Sequence, residues 1–353
     1  MKSNLKKVRL AIIGAGAITE ESYLPAAKLI SHLEITHIVD LDQVRAEQVA
    51  ADFQIPIATS DYHELFGKVD GVVVATPPSS HARISMDFMN AAISVLCEKP
   101  IALTLAEARE MVGTGKTANI HLAVAMNRRL SRSAKILKQL INDGLLGDIT
   151  HFDAAEGYEY NWPLRTGHVF LNPNHRGIIS DIGPHLFDLL LWLFNRSPAR
   201  VKKCEDDNWG GVEANAVVDL EFENAHSTIR GQVEFSWTRM LRNSIRIYGE
   251  NGMLEASIIG GEKVNYYPKG YAKKGLTVQE TDNNPPMANN EFVQQLINFT
   301  DSITQNQVKY VPAEQALAPM TLIEDCYKLR KINPQPWEKK WLKSFFRNNL
   351  NAK

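Results

Sequence analysis

The most constraining feature of the sequence is the alternation of short apolar runs with helical patterns over its first third. Strand candidates lie at 8–13, 35–39, 71–76, 94–98 and 121–126, with helical patterns at 22–33, 42–53, 80–92 and 105–112. Near-continuous runs of Val, Ile and Leu are typical of strands covered on both faces. Strand–helix–strand alternation implies right-handed parallel crossovers. We therefore predict an α/β fold with a doubly wound parallel sheet here.

The pattern changes after about residue 127. A helix is predicted at 131–143, followed by β-rich stretches at 148–158, 200–205, 213–222, 226–237, 243–249 and 253–259. A strongly apolar helix is predicted at 182–194, a polar loop at 266–290, and helices at 290–305 and 313–331. Consecutive strands joined by short turns indicate an antiparallel sheet. We predict a parallel α/β domain at 1–127, a mostly antiparallel α+β domain at 128–332 and a tail at 333–353.

The first strand runs into the turn Gly14-Ala15-Gly16-Ala17-Ile18. Gly14 allows a tight turn, and Gly16 lets the backbone approach a pyrophosphate at the N-terminus of the next helix. The third glycine of the usual dinucleotide fingerprint is replaced by Thr19. We predict that this turn binds a dinucleotide.

Asp40 follows the second strand at about the spacing expected of the carboxylate that binds the adenosine ribose. Such a carboxylate repels a 2′-phosphate, so we expect NAD rather than NADP. Arg45, one helical turn further on, moderates that preference. The alternative is that Asp40 only caps the helix that begins near Asp42.

Polar residues also follow the fourth and fifth strands. Thr76, Pro77 and His81 follow the fourth, and Glu98 and Lys99 end the fifth. Ligands of doubly wound sheets bind outside the carboxyl ends of the strands, so we predict cofactor contacts for all five residues. Lys99 is then a charge at the mouth of the crevice, although a lone lysine at a strand end is otherwise a solvated surface charge.

The apolar helix at 182–194 is preceded by the pair Asp181 and His185. Residues four apart lie one turn apart on a helix. A carboxylate within reach of an imidazole fixes its tautomer and exchanges its proton. The alternative is an ordinary buried histidine in the core.

Taken together, these residues resemble the glucose–fructose oxidoreductase/inositol dehydrogenase (Gfo/Idh/MocA) family over roughly residues 7–332. The resemblance rests on Gly14-Ala15-Gly16, Asp40, Ala75-Thr76-Pro77, Glu98-Lys99-Pro100, Asn127-Arg128-Arg129 and Asp181-x-Gly183-x-His185. It implies a Rossmann domain, a substrate domain built on a large open sheet, and NAD(P)-dependent oxidation or reduction of sugars and polyols. It also implies that Lys99 and His185 are catalytic, with Asp181 assisting.

Those residue types suit the oxidation of a secondary alcohol. Neutral His185 can take the hydroxyl proton while hydride leaves to the nicotinamide. The Lys99 ammonium can stabilise the developing alkoxide, and Asp181 can stabilise the imidazolium. No metal is required, and neither His-x-x-x-His nor a Cys/His cluster of zinc-ligand type occurs.

By analogy with the family, the segment 157–165 lies near the substrate. The full set of predicted substrate contacts is Lys99, Asn127, Arg128, Tyr158, Trp162, Arg165, Arg176, Asp181 and His185. Arg176 belongs to His175-Arg176-Gly177-Ile178-Ile179, where family members often carry a glycine cluster. Arg165 or Arg176 could bind a carboxylate or phosphate bidentately, which suggests an acidic or nucleotide-linked sugar. The alternative is that these residues only close the interdomain cleft.

Two other functions remain open for such a chain. One is an NAD-dependent glycosidase, which oxidises its substrate transiently. The other is a non-catalytic dinucleotide-binding sensor, against which the complete set of Lys99, Asp181 and His185 argues.

Composition excludes several classes of partner. With 39 Lys and Arg against 40 Asp and Glu, the chain is not a nucleic-acid binder as a whole. The sequence contains no apolar stretch long enough for a transmembrane helix. Its three cysteines lie far apart, which fits a reducing compartment and predicts a cytoplasmic protein. The open sheet implied by the resemblance predicts a homodimer or homotetramer.

The tail is strongly basic. Residues 328–353, which include the tail, hold eight Lys or Arg and one Glu and have a net charge of +7, so residues 1–327 have −8 and the whole chain −1. Trp337, Trp341 and Phe345 recur every four residues within it. Such a segment either contacts an anionic membrane or a partner, or packs on the protein's own surface or a neighbouring subunit.

Two motif-like segments are set aside. Residues 113–117 resemble the end of a Walker loop, but they follow a predicted helix, and we interpret them as its C-terminal turn. Tyr327 and Lys331 have the Tyr-x-x-x-Lys spacing of short-chain dehydrogenases. We interpret them as helix surface.

Overall fold

The computed structural model describes residues 7–161, 176–195, 198–207, 212–223, 228–271, 274–279, 290–305 and 311–333. Six strands form a parallel sheet in the order β3-β2-β1-β4-β5-β6. They are β1 (Val8–Ile13), β2 (Leu33–Val39), β3 (Ile57–Thr59), β4 (Gly71–Val74), β5 (Ser94–Cys97) and β6 (Leu122–Val124). The order reverses beside β1, as in doubly wound folds, so the predicted parallel architecture is confirmed. Only the three-residue edge strand β3 was not predicted.

Helices α1 (Leu24–Ala27), α2 (Gln43–Phe53), α3 (Pro78–Asn90) and α4 (Leu105–Ala118) lie between these strands. The helix predicted at 22–33 is wrong in form, because a π-helical turn at Thr19–Tyr23 leads into α1, which ends at Ala27. The helix predicted at 105–112 continues to Ala118. The segment 113–117 therefore belongs to the helix itself and is not a turn after it.

A second sheet has nine strands in the order β14-β13-β12-β11-β7-β10-β9-β8-β15. They are β7 (Ile149–Gly157), β8 (Ala199–Asp206), β9 (Asn215–Glu223), β10 (Thr228–Ser236), β11 (Ser244–Gly249), β12 (Gly252–Ser257), β13 (Lys263–Pro268), β14 (Leu276–Gln279) and β15 (Arg330–Ile332). Neighbours are antiparallel except β7 with β10 and β8 with β15, which confirms a mostly antiparallel sheet.

Two predictions about this sheet are wrong. The loop expected at 266–290 contains the end of β13 and all of β14, two short strands in a segment rich in Gly, Asn, Lys and Pro that is typical of a loop. The helix expected to end at 331 ends at Leu329, and the chain then forms β15.

Helices cover one face of the second sheet. They are α5 (Arg132–Asn142), α6 (Ile178–Asp181), α7 (Gly183–Leu193) and α9 (Leu317–Leu329). Helix α5 packs on β12 to β14, α6 on β9 and β10, and α9 on β8, with α7 packed against α5 and α9. The strands alternate accordingly: Val218, Leu220 and Phe222 of β9 are buried, whereas Asp219 and Glu221 point to the other face.

The helix at Glu291–Gln305 packs against the first sheet and its helices. Helix α8 (Glu291–Gln305) brings Ile303 within 2.7 Å of where a Cβ on Gly71 of β4 would lie. His32 Nε2 contacts Thr300 Oγ1 of α8 at 3.2 Å, and Ala123 forms an isolated bridge with Pro312. The division at residue 127 stays a prediction, and beyond Asn333 the predicted tail lies outside the described residues.

Within the described residues, no helix is both long and apolar enough to cross a membrane. The apolar helix α7 is instead buried inside the protein, with most of its residues almost inaccessible to solvent.

A buried ion pair holds α7 in place. Arg129, in the 3-10 turn Asn127–Leu130, donates from Nε and Nη2 to Asp188 of α7 and from Nη1 to Gln315 at 2.6 Å. The side chains of Arg129 and Asp188 are only 8% and 2% exposed. Removing one partner would leave the other charge buried without its counter-ion.

We expect Asp188→Ala to lower the free energy of unfolding by about 3 kcal/mol, because a buried pair that loses one partner leaves an uncompensated charge. The measurement is chemical denaturation. The matched control is Glu223→Ala, which removes the exposed 3.0 Å pair with Arg200 and should cost less than about 1 kcal/mol. Equal losses in the two variants would contradict the prediction.

Candidate active site

The carboxyl ends of four strands meet at one edge of the first sheet. Ile13 of β1 pairs with Val39 of β2 and with Val74 of β4, and Val74 pairs with Cys97 of β5. The residues that follow these strands, among them Gly14, Asp40, Thr76 and Lys99, are therefore neighbours in space. This is the edge that the sequence predicted for a ligand.

The turn after β1 fits a dinucleotide. Gly14 has φ +107°, and a Cβ there would lie 2.5 Å from the carbonyl oxygen of Ala75, so the position requires glycine. A Cβ on Gly16 would meet no atom within 4 Å, so the space beside it is open for a phosphate. Ala17 and Ile18 are half-buried and lead into the π-helical turn.

Thr19 substitutes for the missing third glycine by a specific contact. Its side chain is fully buried, and its Oγ1 donates to the carbonyl oxygen of Gly14 at 2.6 Å. The hydroxyl thereby ties the start of the π-helical turn to the glycine turn.

Asp40 braces the glycine turn and does not act as the cap of α2. Its Oδ2 accepts from the backbone of Ala15 at 2.8 Å and its Oδ1 from the backbone of Asp42 at 3.0 Å. The cap is Asp42, whose Oδ1 accepts from the backbone of Arg45. The Arg45 side chain is almost buried, donates to the carbonyl oxygen of Ala15 at 3.0 Å and pairs with Glu20.

Lys99 and Asp181 meet although 82 residues separate them in sequence. Lys99 Nζ donates to Asp181 Oδ1 at 2.6 Å and to the carbonyl oxygen of Asp181 at 3.0 Å. Both side chains keep some exposure, 20% for Lys99 and 37% for Asp181, so an incoming ligand can reach them. The Lys99–Pro100 peptide bond is cis.

His185 lies one helical turn beyond Asp181, but the expected contact between them is absent from the described hydrogen bonds, because the Asp181 carboxylate points to Lys99. The Nδ1 atom of His185 is buried and has no hydrogen-bond partner among the described residues. Burial, and then the positive charges of Arg128 and Lys99, hold the pKa of His185 well below its usual value. The ring is therefore neutral at neutral pH, as a proton acceptor must be.

Two predicted contacts lie beneath the surface of the site. His81 is fully buried, with its ring nitrogens 2.7 Å from the carbonyl oxygen of Thr76 and 2.9 Å from that of Pro100. It joins the two loops from inside, so its predicted contact with a cofactor is corrected. Glu98 is also nearly buried, and its carboxylate accepts from Tyr23 and from the backbone of Lys99.

The predicted contact Arg128 is held by an acid that the sequence did not single out. Both terminal nitrogens of Arg128 donate to the buried carboxylate of Glu156 on β7. The charge of Arg128 nevertheless reaches His185, whose pKa it helps to lower. Asn127, at the start of the same 3-10 turn, is half-buried. An acidic residue in the apolar run of β7 was the available signal for Glu156.

Aromatic residues after β7 lie near Asp181. Burial and the Asp181 carboxylate raise the pKa of Tyr158, and the same two causes raise the pKa of Tyr160 to about 12. Tyr160 also packs edge-on against Trp237 at 5.0 Å between ring centroids. Of the other predicted substrate contacts in this segment, Trp162 and Arg165 lie outside the described residues.

Arg176 lies over Tyr327. Its guanidinium is 4.6 Å from the centre of the Tyr327 ring, and the Tyr327 hydroxyl donates to the buried Glu213. No described contact joins Arg176 to Lys99 or Asp181. The interpretation of Tyr327 as helix surface is therefore wrong, and Lys331 lies on β15 rather than on the same helix.

Among the described side chains, no group of three His, Cys, Asp or Glu residues could hold a metal ion. The titratable groups that lie together at this edge are the Lys99 ammonium, the carboxylates of Asp181 and Glu98, and the neutral imidazole of His185.

The two glycines give a contrast that tests the turn. Gly14→Ala should lower the free energy of unfolding by about 2 kcal/mol, because it places a Cβ at positive φ against a backbone carbonyl. Gly16→Ala should leave stability unchanged and weaken NADH binding, because its methyl group enters the open space. Thermal melting and fluorescence titration with NADH measure the two effects. An unaltered NADH affinity in Gly16→Ala would count against this turn as the phosphate site.

Comparison with known proteins gives a consistent picture. A family model described as "Oxidoreductase family, NAD-binding Rossmann fold" matches residues 8–136, and the "GFO/IDH/MocA C-terminal domain" matches residues 135–255. D-apiose dehydrogenase from Paraburkholderia graminis is 29% identical over 194 residues, which are 54% of this chain and 51% of that protein. The chain thus matches only about half the length of this curated relative.

Solved structures share the fold. An oxidoreductase from Agrobacterium radiobacter, in complex with NAD⁺, L-tartaric acid and magnesium, has a TM-score of 0.78 at 21% identity, covering 91% of this chain and 96% of that one. A 3-ketoreductase from Actinomadura kijaniata, in complex with NADP and TDP-benzene, has a TM-score of 0.80 at 17% identity, covering 94% and 100%. With family models matching both parts of the sequence, the chain belongs to the Gfo/Idh/MocA family of oxidoreductases.

Proposed function

We propose that the protein is an NAD(P)-dependent oxidoreductase that transfers a hydride between nicotinamide and a secondary alcohol or ketone of a sugar, polyol or sugar derivative. The observation that carries the proposal is the Lys99–Asp181 pair, partly open to solvent at the edge that carries the glycine turn. The name of the relative D-apiose dehydrogenase supports a sugar as substrate.

The chain's own residues supply the proton chemistry and the positioning. When bound, the nicotinamide accepts or gives the hydride. Neutral His185 takes the hydroxyl proton in the oxidative direction and returns it in the reductive one. Lys99 binds the substrate oxygen and stabilises its developing negative charge, and Asp181 orients the Lys99 ammonium by the 2.6 Å contact. Asp181 thus acts on Lys99 rather than on the imidazolium.

The cofactor preference follows from Asp40 and Arg45. Asp40 keeps lone pairs on both oxygens for the ribose hydroxyls, and its negative charge disfavours a 2′-phosphate. Arg45, which could neutralise such a phosphate, is already engaged by Ala15 and Glu20. Both observations support NAD over NADP.

An acidic or nucleotide-linked sugar remains part of the proposal. Among the described residues it is supported by Arg176, whose buried Nη1 has no hydrogen-bond partner and stays available as a donor. The L-tartaric acid and TDP-benzene bound to the two structural neighbours are ligands of these chemical kinds.

We also propose a cytoplasmic homodimer or homotetramer assembled through the second sheet. The three cysteines are buried and free, which suits a reducing compartment. One face of the sheet is covered by helices, and its other face carries polar residues such as Asp219 and Gln232, joined by a 2.8 Å hydrogen bond.

A panel of neutral, phosphorylated, carboxylated and nucleotide-linked sugars, each assayed with NAD⁺ and NADP⁺ for reduced cofactor, tests the proposal. We expect turnover with NAD⁺. Release of an aglycone without net NADH would identify the glycosidase alternative, and cofactor binding without turnover on any sugar would favour the sensor.

With the substrate found in that panel, Lys99→Ala should lower kcat/KM by about 10²- to 10³-fold, because a charge-stabilising donor is lost. The control is Lys116→Ala, which removes an exposed lysine paired with Glu314 on the surface. Turnover preserved in Lys99→Ala would refute the catalytic role of Lys99.

The pH profile of alcohol oxidation should reflect the low pKa of His185. A histidine whose pKa lies below the usual 6.5 stays neutral, and thus able to accept a proton, as the pH falls through 6.5. The acid limb of kcat/KM, which reports groups of the free enzyme, should therefore lie below pH 6.5. An acid limb centred at or above 6.5 would contradict His185 as the base in this environment.

A further inference from the structure

A buried hydrogen-bond network lies behind Lys99. The Tyr23 hydroxyl donates to Glu98 Oε1 at 2.7 Å, and the backbone N–H of Lys99 donates to Glu98 Oε2 at 2.9 Å. Gln295 Nε2 of α8 donates to the Tyr23 hydroxyl at 2.8 Å. Three segments far apart in sequence therefore meet in one hydrogen-bond network that ends at the Glu98 carboxylate.

The hydrogen bond from Gln295 fixes the direction of the hydrogen bond between Tyr23 and Glu98. A tyrosine hydroxyl has a single hydrogen. Because the Tyr23 oxygen accepts from Gln295, its hydrogen is directed to Glu98. The carboxylate thus receives two donors, one on each oxygen, which is the pattern that favours its ionised form.

The network is dry. Tyr23 and Gln295 are fully buried and Glu98 is 8% exposed. Hydrogen bonds to a charge are stronger in such surroundings, and losing one is correspondingly costly. The ring of Phe292, also on α8, packs edge-on against Tyr23 at 5.3 Å and helps to hold it in place.

Tyr23 reaches this position because of the local backbone. It is the last residue of the π-helical turn Thr19–Tyr23, whose first residue is tied to the glycine turn. Such turns are rare and occur frequently at functional sites. One short segment therefore touches the predicted phosphate site at one end and the network behind Lys99 at the other.

We propose that Tyr23 and Gln295 are positioning residues that hold the Glu98 carboxylate ionised and fixed behind Lys99, and so set the orientation and electrostatic surroundings of the Lys99 ammonium. The proposal rests on the proposed function of Lys99. It makes the chemistry at the first sheet depend on the docking of α8, which comes almost 200 residues later in the chain.

The groups that face Glu98 are Lys99, Asp181, Tyr23 and the adjacent thiol of Cys97. Burial is the largest influence on Glu98 and leaves its pKa above the usual value. The Lys99 charge, the Tyr23 hydrogen bond and the Lys99 backbone hydrogen bond limit that rise, and Asp181 adds to it. Removing the Tyr23 hydroxyl should therefore shift the titration of Glu98 to higher pH.

The test compares Tyr23→Phe with Tyr62→Phe. Tyr62 is a matched control, since it too is nearly buried and its hydroxyl donates to a carboxylate, that of Asp87, at 2.7 Å. In cofactor-free protein, infrared spectra recorded across pH follow the carbonyl band of protonated Glu98, and Glu98→Gln identifies that band by its loss. We expect the band to persist to higher pH in Tyr23→Phe and to be unchanged in Tyr62→Phe.

The kinetic readout uses the substrate from the panel. Tyr23→Phe should lower kcat about tenfold with little change in KM, because Lys99 still binds but is held less well for the transition state. Gln295→Leu should act in the same direction and serves if Tyr23→Phe does not fold. An unshifted Glu98 band together with unchanged kcat would overturn the proposal.

The proposed function and the positioning role of Tyr23 can be refuted independently of each other. If no sugar is turned over, the proposed function is wrong, whereas the infrared titration still decides whether Tyr23 controls Glu98. A purely structural role for Tyr23 would lower the melting temperature of Tyr23→Phe and leave the Glu98 band and the ratio of kcat to KM unchanged.

Discussion

The interaction on which the site depends is the ion pair between Lys99 and Asp181. Lys99 follows a strand of the first sheet, and Asp181 ends a helix packed on the second, so each is positioned by a different sheet. An exposed pair between long side chains contributes little to stability. This one gains its geometry from rigid surroundings: Glu98 and the Pro100 loop on one side, and α7, held by Arg129 and Asp188, on the other.

The charges around this pair are organised in layers. Glu156 and Asp188 are buried and pair with Arg128 and Arg129, whose side chains are 14% and 8% exposed. The pair of Lys99 and Asp181 keeps more exposure, 20% and 37%. His185 lies among these charges without a carboxylate partner in the part of the chain that the structure describes, and its surroundings keep it uncharged. Among the described residues, the arrangement thus separates the most buried ion pairs from the Lys99–Asp181 pair, which stays partly open to solvent.

Sequence patterns predicted the parts of this molecule that depend on local regularity. The strands of the first sheet were recognisable because continuous Val, Ile and Leu runs have few alternatives. Lys99 was predicted because it follows such a strand, whereas Asp181 and His185 were predicted from their spacing of four at the start of an apolar helix. The edge strand β14 and its neighbour β13 were missed because they are short and lie in a segment rich in Gly, Asn, Lys and Pro, which is typical of a loop. Tyr23, Gln295 and Asp188 could not be inferred, since their importance arises only from partners distant in sequence.

The position of α8 has a consequence for how the chain acquires its structure during synthesis. Gly71 and His32 belong to the first sheet region, yet their neighbours Ile303 and Thr300 are made more than 200 residues later. The part of the chain that leaves the ribosome first therefore keeps an apolar surface uncovered until nearly all of the described chain has been translated. Contacts of such long sequence separation slow folding and prolong exposure to aggregation. The part of the chain that is translated first would therefore depend on chaperones until α8 is available to cover it.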